Sequence, residues 1–171
     1  QMKFLKNKNL WAILILITIV FNSNTKLFAW GFHAHRIINR HAVFCLPPEM
    51  LNFYKKNIEF ITERSTDPDK ISRVNPDEAP RHYIDIDHYG KNPFDSMPKF
   101  WNEAIKKFSE DTLTRHGVLP WHINRMLFRL TEAFRANDAY QILLLSARFG
   151  HYIADAHTPL HTTKHYNGRT P

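Results

Sequence analysis

Residues 149–161 read Phe-Gly-His-Tyr-Ile-Ala-Asp-Ala-His-Thr-Pro-Leu-His, and this stretch decides how the rest of the chain is organised. His151 and Asp155 are four positions apart, so a helix places their side chains on the same face, one turn from each other. That face continues towards the N-terminus with the positions Tyr140, Leu144 and Ala147. The pattern therefore predicts an imidazole and a carboxylate that point into a core, where burial is costly unless a partner satisfies both groups.

Two kinds of partner satisfy such a pair. A cation binds both groups at once, because neutral imidazole and carboxylate are good zinc ligands. Pro159 ends the helix and places His161, a third candidate ligand, just beyond its end. A His–Asp hydrogen bond without any metal satisfies the pair as well, and the residues alone leave both interpretations open.

The first 29 residues have the pattern of a secretory signal peptide. Three lysines after Met2 precede an apolar run at residues 10–21, and a polar stretch then leads to the small residue Ala29. The run has 12 residues, fewer than the roughly 18 that a membrane-spanning helix needs. We therefore predict cleavage between Ala29 and Trp30 and a secreted or periplasmic mature protein. An uncleaved N-terminal anchor is the alternative.

The mature part, residues 30–171, is predicted to be a single domain of the all-α class. Without the four lysines of the leader its net charge falls from +7 to +3, and no basic stripe that would by itself indicate nucleic-acid binding stands out. The single cysteine, Cys45, excludes an intramolecular disulfide and follows a pattern typical of a small core residue. In a secreted domain without disulfides, metal can hold the fold together instead.

Helical periodicity recurs along the mature chain. Helices are predicted from the start of the mature chain to Pro47, and at residues 49–62, 100–108, 121–134 and 138–157. Residues 64–81 are polar and rich in proline, which predicts a structured loop. Residues 82–88 alternate in hydropathy, but no partner strand is evident, so an extended segment or a helix entry is favoured over a strand.

Three separated motifs resemble those of one family, the zinc-dependent phospholipase C and single-strand-specific nuclease superfamily. The string HxxxDxxxPLH at residues 151–161 resembles the central motif of that family. The string HYID at residues 82–85 is similar to a second motif, and a mature chain that begins at Trp30 with His35 shortly after it is similar to a third. The motifs follow the family's order and span nearly all of residues 30–171, which makes the set more specific than any single motif.

The resemblance implies three zinc ions in one cleft, two of them held largely by this chain. The first ion is implied to bind the set Asp67, His82, His151 and Asp155. The second is implied to bind the free α-amine and carbonyl of Trp30, together with His35 and a bridging Asp155, and the third to bind His161. Asp69 competes with Asp67, whose fifteen-residue spacing to His82 matches the nucleases.

The activity that the resemblance implies is zinc-dependent hydrolysis of phosphodiester bonds, of the phospholipase C type. A zinc-bridging hydroxide would attack phosphorus, with Asp67 and Asp155 holding the catalytic ions and Asp85 contacting the substrate. The alternative of a single-strand-specific endonuclease shares every motif, but no basic channel with interleaved aromatic residues is evident, so a phospholipid is favoured over single-stranded nucleic acid. No stable protein partner is expected, and the protein is expected to be a monomer. A non-catalytic, zinc-stabilised helical domain is the alternative of another class.

Two features depart from the family pattern. The family completes the third zinc site with a histidine and a carboxylate four residues on, from a helix beyond residue 171, so the chain is predicted to lack a C-terminal part. His161 would then have at most His165 beside it. His157 stands where the family has a small polar residue, and we expect it to act at the helix C-terminus, where the macrodipole favours histidine.

Overall fold

A computed structural model describes residues 31–166 and 168. The predicted leader at residues 1–29 and the predicted ligand Trp30 lie outside the described residues. The described part of the chain is helical and has no strand, which confirms the all-α class. None of its helices combines the length and the apolar character needed to cross a membrane.

Nine α-helices and four 3₁₀-helices follow one another in the described residues. The α-helices are α1 Gly31–Ala42, α2 Pro48–Lys56, α3 Ile58–Arg64, α4 Asp67–Ser72, α5 Pro93–Ser96, α6 Trp101–Phe108, α7 Glu110–Arg115, α8 Leu119–Arg135 and α9 Ala139–Ala156. The 3₁₀-helices are Val43–Cys45, Pro76–His82, Ile86–Tyr89 and Pro159–His161.

Helix α9 has clear start and stop signals. The Asp138 side chain caps its first turn by accepting a hydrogen bond of 3.0 Å from the Gln141 N–H. The helix ends at Ala156, shortly before Pro159. His157 follows the last turn, and its Nδ1–H donates to the Ile153 carbonyl at 2.7 Å, which is the C-terminal role expected of it.

Helix α9 is also the centre of the packing. It lies against α8, α3 and α1, and it is buried on more than one face. The main core consists of Val43, Tyr54, Ile61, Leu119, Met126, Ala133, Ile142, Leu143, Leu145, Ala147 and Tyr152. A smaller core lies beside it and consists of Ile84, Tyr89, Ala104, Leu113 and Trp121. The functional side chains of α9 are therefore surrounded by protein, with apolar packing on several sides.

A close crossing fixes α1 against α9. The buried Asn39 of α1 donates from Nδ2 to the Ala147 carbonyl of α9 at 2.8 Å. The approach requires glycine at position 150, because a Cβ there would lie 2.0 Å from the Asn39 Oδ1. This contact sets the position of α1 next to the half of α9 that contains the predicted ligands.

Several local predictions were wrong. The helix predicted at residues 49–62 is divided at Asn57, and the loop predicted at 64–81 contains α4 and a 3₁₀-helix. Cys45 is exposed, not a core residue, and Tyr140, placed on the inner stripe of α9, is 57% exposed. Helix breaks and the facing of side chains at these positions depend on the neighbours against which they pack, which a local sequence pattern does not contain.

The segment 83–85 connects two 3₁₀-helices and forms no strand, so the alternation at residues 82–88 leads into a helix. Tyr83 is extended, Asp85 is not, and the 3₁₀-helix Ile86–Tyr89 follows. The Ile84 N–H donates to the His161 carbonyl at 2.8 Å, and the Asp85 N–H donates to the His116 carbonyl at 2.7 Å. These isolated bonds tie the segment to two different parts of the chain, so no regular ladder forms. They place the residue before the segment, His82, next to the end of α9.

Candidate metal centre

Five ionisable side chains from four elements converge beside the second half of α9. They are His35 of α1, Asp69 of α4, His82 at the end of the second 3₁₀-helix, and His151 and Asp155 of α9. Four of the five are buried, and only the Asp69 side chain is partly open, at 29% exposed. Asp69 is therefore the member of the cluster that faces solvent.

Asp155 is the shared member of the cluster. Its Oδ2 lies 2.9 Å from the His82 Nδ1 and 3.2 Å from the His151 Nε2. Its Oδ1 lies 3.4 Å from the His35 Nε2. The two oxygens of one carboxylate therefore face two different sets of imidazoles, which is the geometry of a bridging ligand.

The donor atoms form two overlapping groups. His35, His151 and Asp155 make one group, and Asp69, His82 and His151 make the other, with the donor atoms of each group within 4.8 Å of one another. The Asp69 Oδ1 lies 3.8 Å from both the His82 Nδ1 and the His151 Nε2. Either group provides three ligand atoms at a separation that a single cation can span.

Asp69, and not Asp67, occupies the position next to His82. Asp67 instead forms ion pairs with Arg64 at 3.3 Å and with Lys70 at 3.4 Å. Because α4 is helical, residues two apart point about 200° away from each other, so only one of the two aspartates can face the cluster. The assignment of Asp67 to this position from its spacing to His82 is therefore corrected to Asp69.

The hydrogen bonds of the histidines determine which nitrogen faces the cluster. The His151 Nδ1–H donates to the Ser65 carbonyl at 2.8 Å, which leaves the lone pair of Nε2 directed at Asp155. His82 has the opposite orientation, with Nδ1 in the cluster and a buried Nε2 that has no hydrogen-bond partner among the described residues. The Nδ1 of His35 is likewise buried and without a partner in the described part of the chain.

Neither Asp85 nor Asp87 pairs with a histidine of the cluster. The Asp85 Oδ2 lies 3.3 Å from the Nδ1 of His116, and Asp87 accepts from Thr163 and from the Lys164 N–H. The acceptor for His151 is a backbone carbonyl, that of Ser65, which sequence spacing cannot identify.

His161 lies at the edge of the cluster. Its Nδ1–H donates to the His82 carbonyl at 2.7 Å, and the same nitrogen is 4.0 Å from the Asp155 Oδ1. No group of three ligands among the described residues includes His161. The structure therefore brings His161 close to Asp155 but does not provide it with companions for a separate ion within residues 31–166.

Electrostatics favour the protonation states that metal ligands require. Burial raises the pKa of Asp155, but the neighbouring His151 and His82 outweigh it and hold that pKa well below its usual range. Burial, together with the nearby His151, lowers the pKa of His35 to about 4. The rings of these two histidines stack with centroids 3.9 Å apart, an arrangement that suits neutral imidazoles. Neutral imidazole and ionised carboxylate are the forms that bind metal.

The donor set fits a transition-metal ion. The His82 Nδ1, the His151 Nε2 and the Asp155 Oδ2 lie 2.9 to 3.2 Å from one another, so their lone pairs repel unless a proton or a cation lies among them. Imidazole nitrogens with carboxylate oxygens are the ligands that suit zinc. These residues can therefore hold a metal ion.

Two other sets of predicted residues lie apart from this cluster. Asp85, the predicted substrate contact, pairs with His116, whose ring stacks on His88 with centroids 3.4 Å apart. Tyr89 and Trp121 are buried in the smaller core, so neither ring is free to stack on a base.

Glu78 is a residue that the sequence analysis missed. It is 3% exposed and lies on the side of His82 away from Asp155. Its spacing of four residues before His82 was the available signal, but it falls in a segment that was predicted to be a loop.

Comparison of the chain with known protein families, curated proteins and solved structures gives no match. The candidate metal centre is therefore supported by its geometry alone.

Proposed function

We propose that the protein is a zinc-dependent hydrolase of phosphodiester bonds, with the phospholipase C type as the leading activity. The observation that carries the proposal is the convergence of His35, His82 and His151 on the two oxygens of the buried Asp155. Zinc bound there supplies a water of lowered pKa and a positive charge that neutralises phosphate oxygens.

The chain's own residues have distinct roles in this proposal. Asp155 links two ligand sets, His82 with His151 on one side and His35 on the other. Asp69 is the partly exposed member, so it stands at the side from which substrate enters. The Ser65 carbonyl keeps His151 in the form that presents Nε2. No serine, threonine or cysteine nucleophile is needed for this chemistry.

The substrate class rests on the resemblance of residues 82–85 and 151–161 to the family motifs. A phospholipid is the leading substrate, and single-stranded nucleic acid is the alternative with the same centre. Asp85 remains the proposed substrate contact, in the segment that directly follows His82. Secretion after cleavage before Trp30 belongs to the same proposal, since it yields the free terminus that a second ion would use.

A second candidate function is a non-catalytic, zinc-stabilised helical domain. The observation that favours it is the position of His161, which joins no group of three ligands among residues 31–166 and 168. A centre that holds fewer than the three zinc ions of the family that the motifs resemble could still hold α1, α4 and α9 together without hydrolysing substrate.

The test measures zinc content and hydrolysis on the same preparation. Protein with Trp30 as its first residue is dialysed, analysed for zinc, and assayed on phosphatidylcholine vesicles and on single-stranded DNA. We expect bound zinc in the wild type, none in the His151→Ala, Asp155→Ala double variant, and hydrolysis of one of the two substrates.

The outcomes separate the candidates. Zinc content unchanged in the double variant rejects the centre described above. Bound zinc with no hydrolysis, together with unfolding on chelation, favours the structural domain. Asp67→Asn is the control, since Asp67 pairs with Arg64 and Lys70 outside the cluster and its loss leaves zinc content unchanged.

A further inference from the structure

Glu78 is a buried acid that the proposed ligand set does not use. It is 3% exposed, and burial of a carboxylate is costly unless it is paired. The Tyr152 hydroxyl donates to its Oε1, and the Arg81 guanidinium donates to its Oε2. The two bonds hold both oxygens, so the position of this carboxylate is fixed from α9 and from its own 3₁₀-helix.

His82 lies between this carboxylate and the metal centre. Its Nδ1 lies 2.9 Å from the Asp155 Oδ2, and its Nε2 lies 3.9 Å from the Glu78 Oε1. That Nε2 is buried and makes no hydrogen bond to the described residues. The two nitrogens of one ring therefore face two different carboxylates.

The position of the proton on the His82 imidazole links Glu78 to the candidate metal centre. A neutral imidazole has one N–H, so Nδ1 can offer a lone pair to a cation only when the proton is on Nε2. A buried N–H needs an acceptor, and the Glu78 Oε1 is about 1 Å beyond hydrogen-bond length in the structure. A shift of the His82 ring by about 1 Å would bring the two atoms to that length.

We propose that Glu78 is a positioning residue that accepts the Nε2–H of His82 and so keeps the Nδ1 lone pair directed at the metal centre. The inference rests on the proposed function insofar as that centre binds zinc. Glu78 is not a ligand itself, because it faces Nε2, whereas Asp155, His151 and Asp69 all lie at Nδ1. Acceptors of this kind orient ligating histidines and strengthen metal binding.

Tyr152 connects Glu78 to helix α9. It follows His151 directly on α9, and its ring packs edge-on against His151 at 5.3 Å and against His122 at 4.4 Å between centroids. The ring is 3% exposed, so packing fixes the place of its hydroxyl. Helix α9 thus contains two of the proposed ligands, His151 and Asp155. It also contains Tyr152, whose hydroxyl holds Glu78 in place beside a third ligand, His82.

The test compares zinc affinity and the state of His82 in three variants of the whole mature chain. Glu78→Gln removes the charge and lets a side-chain NH₂ face Nε2, which favours the wrong tautomer. Tyr152→Phe removes the donor that fixes Glu78. Glu132→Gln is the matched control, since Glu132 pairs with Arg135 at the same spacing as Glu78 with Arg81 but is exposed.

We expect Glu78→Gln to weaken zinc binding about 10- to 100-fold, Tyr152→Phe to weaken it less, and Glu132→Gln to leave it unchanged. In ¹⁵N-histidine spectra of the zinc-loaded wild type, His82 shows a slowly exchanging Nε2–H and a metal-bound Nδ1. Faster exchange of that proton in Glu78→Gln separates positioning from a purely structural role, which would leave the proton unchanged.

Unchanged zinc affinity and an unchanged Nε2–H signal in Glu78→Gln overturn the proposal. If that variant does not fold by circular dichroism, Tyr152→Phe decides by the same two criteria. Wild-type protein that binds zinc but hydrolyses no phosphodiester rejects the hydrolase and leaves the result for Glu78 standing. Wild-type protein that binds no zinc overturns both.

Discussion

Asp155 differs from Asp69, the other acid of the candidate centre, in geometry and in burial. Both oxygens of Asp155 face imidazoles, and its side chain is 1% exposed. Asp69 reaches the same histidines only at 3.8 to 3.9 Å and is partly exposed. The two carboxylates thus differ in geometry although both are aspartates of one cluster. A substitution that removes charge without changing shape should separate their roles.

We predict that Asp155→Asn weakens zinc binding more than Asp69→Asn does, by at least about tenfold, since one coordinating charge at a buried site is worth more than 1.4 kcal/mol. Competition with a zinc chelator measures the two affinities. Asp67→Asn serves as the control and should match the wild type. Equal losses in the Asp155 and Asp69 variants would argue against a bridging role for Asp155.

His122 lies outside the candidate ligand set and gives a pH dependence of its own. It is 6% exposed and packs against Tyr152, and burial together with Arg81 and Arg125 lowers its pKa to about 3. In the unfolded chain the pKa of histidine is about 6.5. Between these two values the unfolded state binds more protons than the folded state, so stability falls as pH decreases from about 6.5 towards 3.

We predict that this histidine makes the free energy of unfolding fall by at most about 1.4 kcal/mol for each pH unit in that window. Urea unfolding at a series of pH values, on wild type and on His122→Phe, measures the slope. His157→Phe is the matched control, because His157 is exposed. Identical slopes for the wild type and the His122 variant would show that His122 is not held neutral.

At the scale of elements, the crossing of α1 and α9 determines whether His35 reaches Asp155. The two helices meet at Gly150 and Asn39, one turn away from these ligands on each helix. Two ion pairs, Arg36–Glu63 and Arg40–Glu59, also join α1 to α3. They are largely exposed, so they contribute little to stability. The buried contact between Asn39 and Ala147 is therefore the one that sets the distance between His35 and Asp155.

We predict that Gly150→Ala destabilises the protein by about 1–3 kcal/mol, because the new Cβ would lie 2.0 Å from the Asn39 Oδ1. In an open helix the same change stabilises by up to about 1 kcal/mol, so the sign of the effect is diagnostic. Denaturant unfolding of Gly150→Ala, Asn39→Ala and the double variant measures the coupling. Additive effects of the two substitutions would contradict the proposed clash.

At the scale of the whole molecule, the candidate centre joins segments that are distant in sequence. His35 and Asp155 are separated by most of the described chain, and α4 with the following 3₁₀-helix adds Asp69 and His82 between them. A metal ion held by these elements would stabilise the tertiary arrangement rather than any one helix.

We predict that processing before Trp30 completes a second zinc site, since a free α-amine coordinates metal and a peptide nitrogen does not. Protein that begins at Trp30 should bind one zinc ion more than protein with one extra residue in front of it. Metal analysis and phosphodiesterase activity of the two forms measure the difference. Equal zinc content and equal activity would refute the role of the terminus.

The sequence by itself determined what depends on contiguous backbone. The shared face of His151 and Asp155 and the helix stop before Pro159 are consequences of helix geometry, and the structure confirms both. The all-α class follows from the same periodicity. The presence of His35 and His82 beside α9 was implied by the resemblance, and the structure places both within 3.4 Å of Asp155.

Only the tertiary structure decided the rest. The choice of Asp69 over Asp67 depends on the rotation of α4, which packing against the 3₁₀-helix Pro76–His82 sets and which spacing cannot supply. Glu78 is held beside His82 by Tyr152 and Arg81, and Glu78, Arg81 and His82 all lie far from Tyr152 in sequence. Side-chain direction in short irregular segments is determined by distant neighbours, whereas the direction along a long helix is determined by its own period.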